Sequence, residues 1–336
     1  MATCELVATV AYDPLYRLSQ VYTLLVSFLA IFPLLHLVFR KVPSTTFNSN
    51  IKFLYMLYFL ELLVSVINSV VVFAHHVVIP FLAASNCDLM VNPAKLIVFQ
   101  YVGVFGMSSP MLTNIGISIE RCLALIFAHC YEHTKLHIGI VIGVIAVVGD
   151  LLIVYFLFRD EHFDKPMMSY FMLPDTSGER MNLLCYSLLA LNILNLIFNK
   201  ILKTATRKLG ETWRSSLSER FQMEENIVTA TFSTYISSVH VFFFMLYLVF
   251  TLFIRVIGTH FLTSAAELLA MRGIYVTIPT YNLLVGIMSC VVLSRLQELK
   301  VVKVEAEVAL PFAGFEGAKN HEQAIMTVWT SQASKF

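Results

Sequence analysis

Charged side chains are scarce in this chain: they make up 13% of its 336 residues, whereas hydrophobic residues make up 58%. Soluble domains carry about 25% charged residues, so the composition excludes an ordinary soluble domain. Six cysteines are too few for a disulfide scaffold at this length. The sequence also lacks a serine-nucleophile motif, a glycine-rich phosphate loop and a His-Glu-x-x-His zinc motif. We therefore expect neither an enzyme nor a bound cofactor.

Seven apolar segments are long enough to cross a bilayer as helices, which takes about 20 residues each. They cover residues 21–39, 53–74, 96–119, 138–158, 183–199, 227–254 and 273–294. Unpaired backbone groups are unstable in lipid, so seven such runs predict seven helices packed as a bundle. We predict an all-α integral membrane protein with one membrane domain, residues 1–310, and a flexible cytoplasmic tail, residues 311–336.

The distribution of positive charge predicts the orientation of this bundle. With the N-terminus outside, sixteen Lys and Arg residues fall on the inner side and seven on the outer side. Cytoplasmic connections carry the excess of Lys and Arg in membrane proteins. We therefore predict an external N-terminus and a cytoplasmic C-terminus.

Glu120 and Arg121 are the first charged pair after the third apolar segment. They have two interpretations: stop charges that end a membrane helix at its inner boundary, or a functional pair on the inner face. The sixth helix approaches the same face, because a Ser with a Glu three residues later, at 216–219, predicts a capped helix start near Leu217. Arg220, Glu224 and Glu225 follow on this helix and are candidate neighbours of the pair.

Polar and ionisable side chains inside the segments are costly and usually face the bundle interior. We single out five as a polar network whose members shift as helices move: Glu61, Asn68, Asp150, His240 and Asn282. The other interpretation is that such groups only form interhelical hydrogen bonds that hold the bundle together. For the row Asn192, Asn195 and Asn199 on the fifth segment, we favour this structural interpretation.

A ligand pocket is expected in the outer half of the bundle, where a concave space opens between helices. The candidates for its lining are Gln100, Phe105, Tyr186, Phe244, Tyr247 and Tyr275. The long connection 159–180 is a candidate lid over this pocket.

Cys4, Cys87 and Cys185 lie at or near the outer side, where an oxidising environment permits a disulfide. Cys4–Cys87 is the first choice, with Cys185 as the rival partner. The histidines form two groups, His75–His76 and His129–His133–His137, which the predicted topology places about 30 Å apart on opposite sides of the bilayer. A zinc site needs three or four ligands at about 2 Å, so we expect no metal site.

Taken together, eight stretches of the chain resemble the nematode serpentine chemoreceptors of class beta (Srb), within the larger Sra-type superfamily. One of them, residues 217–226, reads Leu-Ser-Glu-Arg-Phe-Gln-Met-Glu-Glu-Asn. The others are residues 12–20, 47–52, 87–89, 119–121, 131–132, 159–166 and 278–282. They run in family order over about residues 12 to 282, so the resemblance is specific as a set.

This resemblance implies a chemosensory G-protein-coupled receptor with a small-molecule ligand, a heterotrimeric G protein, membrane lipid and no nucleic acid as partners. It also implies the plasma membrane, in the cilia of chemosensory neurons. Glu120–Arg121 is similar to the acidic–Arg pair of such receptors, in which the Arg meets the G protein, and we favour the functional interpretation on this basis. Cys122 replaces the usual aromatic after the pair, and 279–282 reads Pro-Thr-Tyr-Asn, unlike the rhodopsin-type motif. The competing hypotheses are an ion channel or transporter and a receptor-like scaffold.

Overall fold

The computed structural model describes residues 4–127, 131, 136–163, 167–170, 177–212, 217–256, 258–261, 264–274 and 276–308. Within these ranges the fold is helical, and β pairing is confined to one antiparallel bridge between Val91 and Met167. Seven of the described helices are long and apolar enough to cross a membrane. The prediction of an all-α, seven-helix membrane bundle is confirmed.

The helices follow one another in chain order with short connections. Those of the first half are α1 (Cys4–Ala11), α2 (Pro14–His36), α3 (Ser49–Leu82), α4 (Pro93–Ile126) and α5 (His137–Phe158). Those of the second half are α6 (Ser177–Thr212), α7 (Leu217–Val256), α8 (Gly258–Phe261), α9 (Ala265–Arg272) and α10 (Thr277–Val308). A π-helical turn, Leu37–Lys41, continues α2, and a 3₁₀ turn, Asn86–Leu89, precedes α4. The candidate membrane spans lie in α2 to α7 and in the stretch Ala266–Glu298, which includes most of α9 and α10.

Short polar side chains begin three of the membrane helices. The Asp13 carboxylate accepts the Tyr16 backbone N–H at 2.9 Å, before α2. Asn48 caps α3 and Asn92 caps α4 in the same way, each by accepting the N–H two residues later. Such caps satisfy N–H groups that the first helical turn leaves without a partner.

All seven membrane helices are longer than the apolar segments that predicted them, and four of them have 34 or more residues. The segments 53–74, 96–119, 183–199 and 227–254 belong to helices α3, α4, α6 and α7, which have 34, 34, 36 and 40 residues. At 1.5 Å per residue, 34 residues span about 50 Å, well beyond the roughly 30 Å of hydrocarbon. A count of apolar residues stops at the first polar group, whereas helical hydrogen bonding continues to the cap.

The seventh segment was predicted to begin at residue 273, but α10 begins at Thr277. Gly273 instead closes the short helix α9, and its N–H is bonded to the Leu269 and Ala270 carbonyls. The start of α7 at Leu217 agrees with the predicted helix start.

Two compact units divide the chain, Met1–Val291 and Val292–Phe336. The first unit holds the bundle from α1 to the N-terminal half of α10. The second unit begins inside α10, which ends at Val308, and the membrane domain over residues 1–310 stays a prediction. The predicted tail, residues 311–336, lies outside the described residues.

The core of the first unit is unusually rich in polar side chains along α3 and α4. Buried polar side chains include Glu61, Ser109, Asn114 and Glu120, whereas α5 turns a row of large apolar side chains outward. Without water between lipid-facing helices, packing and interhelical hydrogen bonds provide the association energy. Polar side chains inside the bundle and apolar side chains on its surface are typical of a multi-pass membrane protein.

A disulfide joins Cys4 to Cys87, 83 residues apart, and thereby ties α1 to the connection between α3 and α4. It is the first of the two pairings left open by the sequence, and Cys185 is a buried free thiol. We call the end of the bundle that carries this bond the Cys4 end. The opposite end, where α3 and α7 begin and α4 finishes, is the Arg121 end.

Candidate functional site

The Arg121 guanidinium lies between two carboxylates at the Arg121 end of the bundle. Its Nε and Nη2 donate to the two oxygens of Glu120 at 2.5 and 2.6 Å. Its Nη1 donates to Glu225 Oε1 at 3.2 Å and to Asn226 Oδ1 at 3.0 Å. One side chain therefore connects α4 with α7.

Further polar groups complete this cluster from two other parts of the chain, the start of α3 and the connection after α4. The Tyr131 hydroxyl donates to Glu120, and Asn50 Nδ2 donates to the Tyr131 hydroxyl at 3.2 Å. The Asn48 backbone N–H donates to Glu225 Oε1 at 2.7 Å. Burial raises the pKa of Tyr131, which keeps its phenol protonated and able to donate. The ends of α3, α4 and α7 and the connection after α4 thus meet around one guanidinium.

The charged members of this cluster are almost completely removed from solvent. Glu120 is 0% exposed and Arg121 is 2% exposed. α4 continues beyond this pair to Ile126, and both side chains are buried inside the protein, where stop charges would face water. A buried ion pair is stable only when its remaining hydrogen-bonding groups are also satisfied, and the neighbouring Asn and Tyr side chains fulfil that condition.

The other predicted coupling residues at this end differ in their position relative to the cluster. Glu225 belongs to the cluster, whereas Glu224, the residue before it, is only half-buried. Arg220 lies on α7, but its side chain is outside the described part of the chain.

Three aromatic side chains meet in the interior between the two ends. The Tyr58 and Tyr281 hydroxyls lie 3.0 and 2.8 Å from His240 Nε2, and 3.2 Å from each other. They come from α3, α10 and α7, and all three are buried. We call this set the Tyr-His-Tyr cluster.

The five predicted network residues therefore belong to separate groups. His240 is in the Tyr-His-Tyr cluster. Glu61 accepts the hydroxyls of Ser109 and Thr113 at 2.7 and 3.0 Å, which bonds α3 to α4. Asn282 Nδ2 donates weakly to Ser65 Oγ at 3.5 Å.

Asp150 on α5 is buried as predicted for an inward-facing acid. Neither of its oxygens has a hydrogen-bond partner by geometry within the described ranges, and the Ser108 hydroxyl donates to the Val104 carbonyl. It is thus not bonded to the other four predicted members.

The asparagine row on α6 makes interhelical hydrogen bonds. Asn195 donates to Ser237 of α7, and Asn199 donates to Ser118 of α4 at 2.8 Å. This supports the structural interpretation for two of the three. Asn192 bonds only to its own helix, at the Leu188 carbonyl.

A cavity of about 70 Å³ opens in the half of the bundle nearer the Cys4 end. It is lined by α3, α4, α6, α7, α10 and the connection after α5, through Ser65, Asn68, Ser69, Phe99, Gln100, Gly103, Val104, Met107, Tyr170, Met181, Tyr247 and Ile278. Serine, asparagine and glutamine side chains form one part of its wall, and aromatic and aliphatic side chains form the rest. This combination is typical of small-molecule sites.

Two of the six predicted lining residues, Gln100 and Tyr247, line this cavity. Phe105 and Phe244 pack in the apolar core beside it. Tyr186 is 45% exposed on the outer face of α6 and is not among the residues that line this cavity. Tyr275 lies outside the described residues. Asn68, predicted as a network residue, is instead part of the cavity wall.

One residue of the connection 159–180, Tyr170, is among the residues that line the cavity, and a lid formed by this connection stays a prediction. The Val91 N–H donates to the Met167 carbonyl at 2.8 Å, and the Ser169 hydroxyl lies 3.3 Å from His76 Nε2. The Tyr170 ring packs edge-on against Phe99, with ring centres 4.9 Å apart. These contacts hold Tyr170 in the cavity wall.

Several members of these sites were not selected from the sequence: Asn50, Tyr131 and Asn226 at the Arg121 end, Tyr58 and Tyr281 in the interior, and Tyr170 at the cavity. A signal existed for the first three and for Tyr281, since each lies in one of the stretches that carried the resemblance. The stretches with Asn50, Tyr131 and Asn226 are far apart in the chain, and the fold brings them around Arg121. No periodicity distinguishes Tyr58 from the other tyrosines of α3.

A seven-helix membrane bundle with an internal cavity near one end and a buried acidic–Arg pair near the other has the architecture of the serpentine class of membrane proteins. The family model for the "Serpentine type 7TM GPCR chemoreceptor Srb" matches residues 12–244. The chain is 59% identical over 334 residues to the Caenorhabditis elegans "Serpentine receptor class beta-6", with 99% of each chain covered. It is 34% identical to class beta-3 (99% and 98% covered) and 32% identical to class beta-1 (98% and 97%) of the same organism. The chain belongs to the Srb family of serpentine chemoreceptors, as the resemblance implied.

Proposed function

We propose that this protein is a chemosensory G-protein-coupled receptor that binds an external small molecule in the cavity and activates a heterotrimeric G protein at the Arg121 end. The observation that carries this proposal is the presence, in one bundle, of an internal cavity and a buried ionic cluster near opposite ends. The family membership supports the receptor class.

In the proposed mechanism, the described arrangement is the resting state. Arg121 cannot contact a partner protein while Glu120 and Glu225 enclose it. Activation therefore requires the start of α7, which carries Glu225, to separate from the end of α4. Of the predicted coupling residues, Arg121 would then face the G protein, and Glu224 and Arg220 would lie on the helix that moves.

A ligand shifts this equilibrium only if it binds the two states with different affinity. The three helices of the Tyr-His-Tyr cluster each also contribute to the cavity wall, through Ser65 on α3, Tyr247 on α7 and Ile278 on α10. On each helix, the cavity residue and the cluster residue are no more than two helical turns apart. A change in helix spacing at the cavity therefore also changes the spacing in the Tyr-His-Tyr cluster. On α3, Tyr55 lies one turn further on and donates to the Thr229 carbonyl, one turn from Glu225.

The proposal includes an orientation and a location. The N-terminus and the Cys4 end face the exterior, and the Arg121 end and the C-terminus face the cytoplasm. The protein resides in the plasma membrane, in the cilia of chemosensory neurons, with membrane lipid around its apolar outer faces. The excess of Lys and Arg on the proposed inner side supports this orientation.

Orientation also separates this function from the alternative of a ligand-gated ion channel or a transporter, because seven-helix odorant channels have a cytoplasmic N-terminus. An epitope tag at Met1 of the full chain should be labelled on intact cells. Labelling only after permeabilisation would contradict the receptor assignment.

The signalling role is tested by nucleotide exchange on a heterotrimeric G protein in membranes that contain the full chain. A panel of small neutral and charged molecules should include compounds that raise the exchange rate. The test variant is Arg121→Lys, which keeps the charge but loses the forked geometry that binds both carboxylates. At equal surface expression, it should respond more weakly than the natural chain. An undiminished response of this variant would remove Arg121 from the coupling role.

A further inference from the structure

The wall of the cavity restricts the chemistry of its occupant. Among the described lining residues there is no Asp, Glu, Lys, Arg or His side chain. The polar groups are hydroxyls and amides, and they come mainly from α3, as Ser65, Asn68 and Ser69. The opposite wall is made by Met107, Met181 and other apolar side chains.

An ionised ligand would lose its hydration in this cavity without gaining an opposite charge. Desolvating a full charge is far more costly than desolvating a neutral hydrogen-bonding group. A neutral polar group loses much less, since hydroxyl and amide partners can replace its water. The cavity therefore discriminates against amines, carboxylates and charged peptides.

One side chain is well placed to meet the polar group of a neutral ligand. The Asn68 amide Nδ2 lies 3.5 Å from the Phe99 carbonyl oxygen, which is the outer limit of a hydrogen bond. Because this bond is weak, the amide can turn to a ligand at little cost. Gly103 lies directly opposite, since a Cβ built there would be 3.5 Å from Asn68 Nδ2.

We propose that the ligand is an uncharged amphiphile of a few carbon atoms, such as an alcohol or a ketone. Its hydrogen-bonding atom meets Asn68, and its apolar body lies against Met107, Met181 and Tyr247. This assignment rests on the proposed function, and it narrows the ligand class that this function leaves open. Gly103 leaves room beside Asn68 for the ligand's polar end.

The test uses the purified full chain in lipid nanodiscs and four six-carbon probes of similar size: hexanol, hexanone, hexylamine and hexanoate. At neutral pH the first two are uncharged and the last two are ionised. Thermal unfolding and displacement of one probe by another measure binding without a G protein. We expect hexanol or hexanone to raise the Tm, with apparent affinities at least about tenfold above those of the ions, which corresponds to about 1.4 kcal/mol.

Two glycine variants show whether the probes act in the cavity. Gly103→Val fills the space beside Asn68 and should abolish the Tm shift. Gly149→Val is the matched control on α5, where a Cβ meets no atom within 4 Å, and should keep it. Because amphiphiles also enter lipid, a shift that survives Gly103→Val would overturn the proposal.

Asn68→Asp provides a second, independent arm. A carboxylate at this position should supply the missing opposite charge, so that hexylamine gains affinity and the neutral probes lose it. Equal or tighter binding of the ions by the natural chain, or binding of none of the four probes, would overturn the ligand class. If the neutral probes bind but leave G-protein nucleotide exchange unchanged, the ligand class stands and the receptor function fails.

Discussion

Arg121 and Glu225 form a buried ion pair across 3.2 Å that joins the end of α4 to the start of α7. The same Glu225 oxygen also accepts the Asn48 N–H at the start of α3. One carboxylate thus holds three helix ends together. In the proposed mechanism, its separation from Arg121 is the event that opens the Arg121 end.

Glu225→Gln should raise signalling in the absence of ligand. The glutamine keeps an oxygen for Asn48 but loses the charge that attracts Arg121, so the separated state becomes more populated. We expect basal nucleotide exchange on the G protein to rise at least about fivefold, the lower end of typical coupling energies. Glu267→Gln, at an exposed carboxylate on α9, is the control. Equal basal rates in both variants and the natural chain would contradict the proposed resting state.

Arg121→Gln should destabilise the protein, because it leaves Glu120 and Glu225 buried without their cation. Removing one partner of a buried ion pair costs about 3–5 kcal/mol. The double variant Arg121→Gln with Glu225→Gln should recover about 0.5–3 kcal/mol of this loss, since one of the two orphaned carboxylates is gone. Thermal unfolding of the purified variants measures both values. Strictly additive effects would mean that the pair at 3.2 Å is not energetically coupled.

Tyr281→Phe should weaken the transmission of the ligand signal. The variant keeps the ring but removes the hydroxyl that bonds to His240 and Tyr58, so α10 is no longer bonded to α3 and α7 at this level. We expect the maximal G-protein response to fall while probe affinity, measured without G protein, changes less than about threefold. Tyr235→Phe on the exposed face of α7 is the control. A large loss of affinity with an unchanged maximal response would place Tyr281 in binding instead.

The sequence predicted the architecture better than it predicted the sites. Seven apolar runs determine seven helices because lipid forbids unpaired backbone groups. The surroundings of charged side chains near helix ends were harder to predict. The sequence of Glu120 and Arg121 is the same whether these side chains face water or, as here, each other. The stretches that carry the family resemblance contain members of the Arg121 cluster, but they do not show which of these residues contact each other.

The cavity was the least predictable feature. Tyr186 and Tyr247 are both tyrosines on long apolar helices, and only the rotation of each helix in the bundle decides that one faces lipid and the other the cavity. Helices that are hydrophobic all round give no periodic signal for this rotation. Asn68 was recognised as inward-facing, but its position at the cavity depends on how closely α3 and α4 approach.

Loss of the Cys4–Cys87 bond should loosen the Cys4 end. This bond closes a loop of 83 residues in sequence separation, and removing a native disulfide typically costs about 2–4 kcal/mol. Cys87→Ser should lower the Tm accordingly, and reductant should lower the Tm of the natural chain to a similar value. Cys122→Ser, at a half-buried free thiol, should have neither effect. Insensitivity of the natural chain to reductant would contradict this pairing.

Gly106→Ala should separate α3 from α4. A Cβ at this position would lie 2.7 Å from Ser65 Cβ and 2.9 Å from Ser65 Cα, and the second of these is a backbone atom that cannot move alone. The helices must therefore shift, with a cost of about 1–3 kcal/mol. Because Ser65 also lines the cavity, the apparent affinity for the neutral probes should fall as well.

Gly149→Ala makes the same chemical change where a Cβ meets no atom within 4 Å. There the gain in helix propensity should dominate and raise stability by about 0.5–1 kcal/mol. The two variants should thus move the Tm of the purified chain in opposite directions. If Gly106→Ala were as stable as Gly149→Ala and bound the probes unchanged, α3 and α4 would not be in the close contact on which the cavity wall depends.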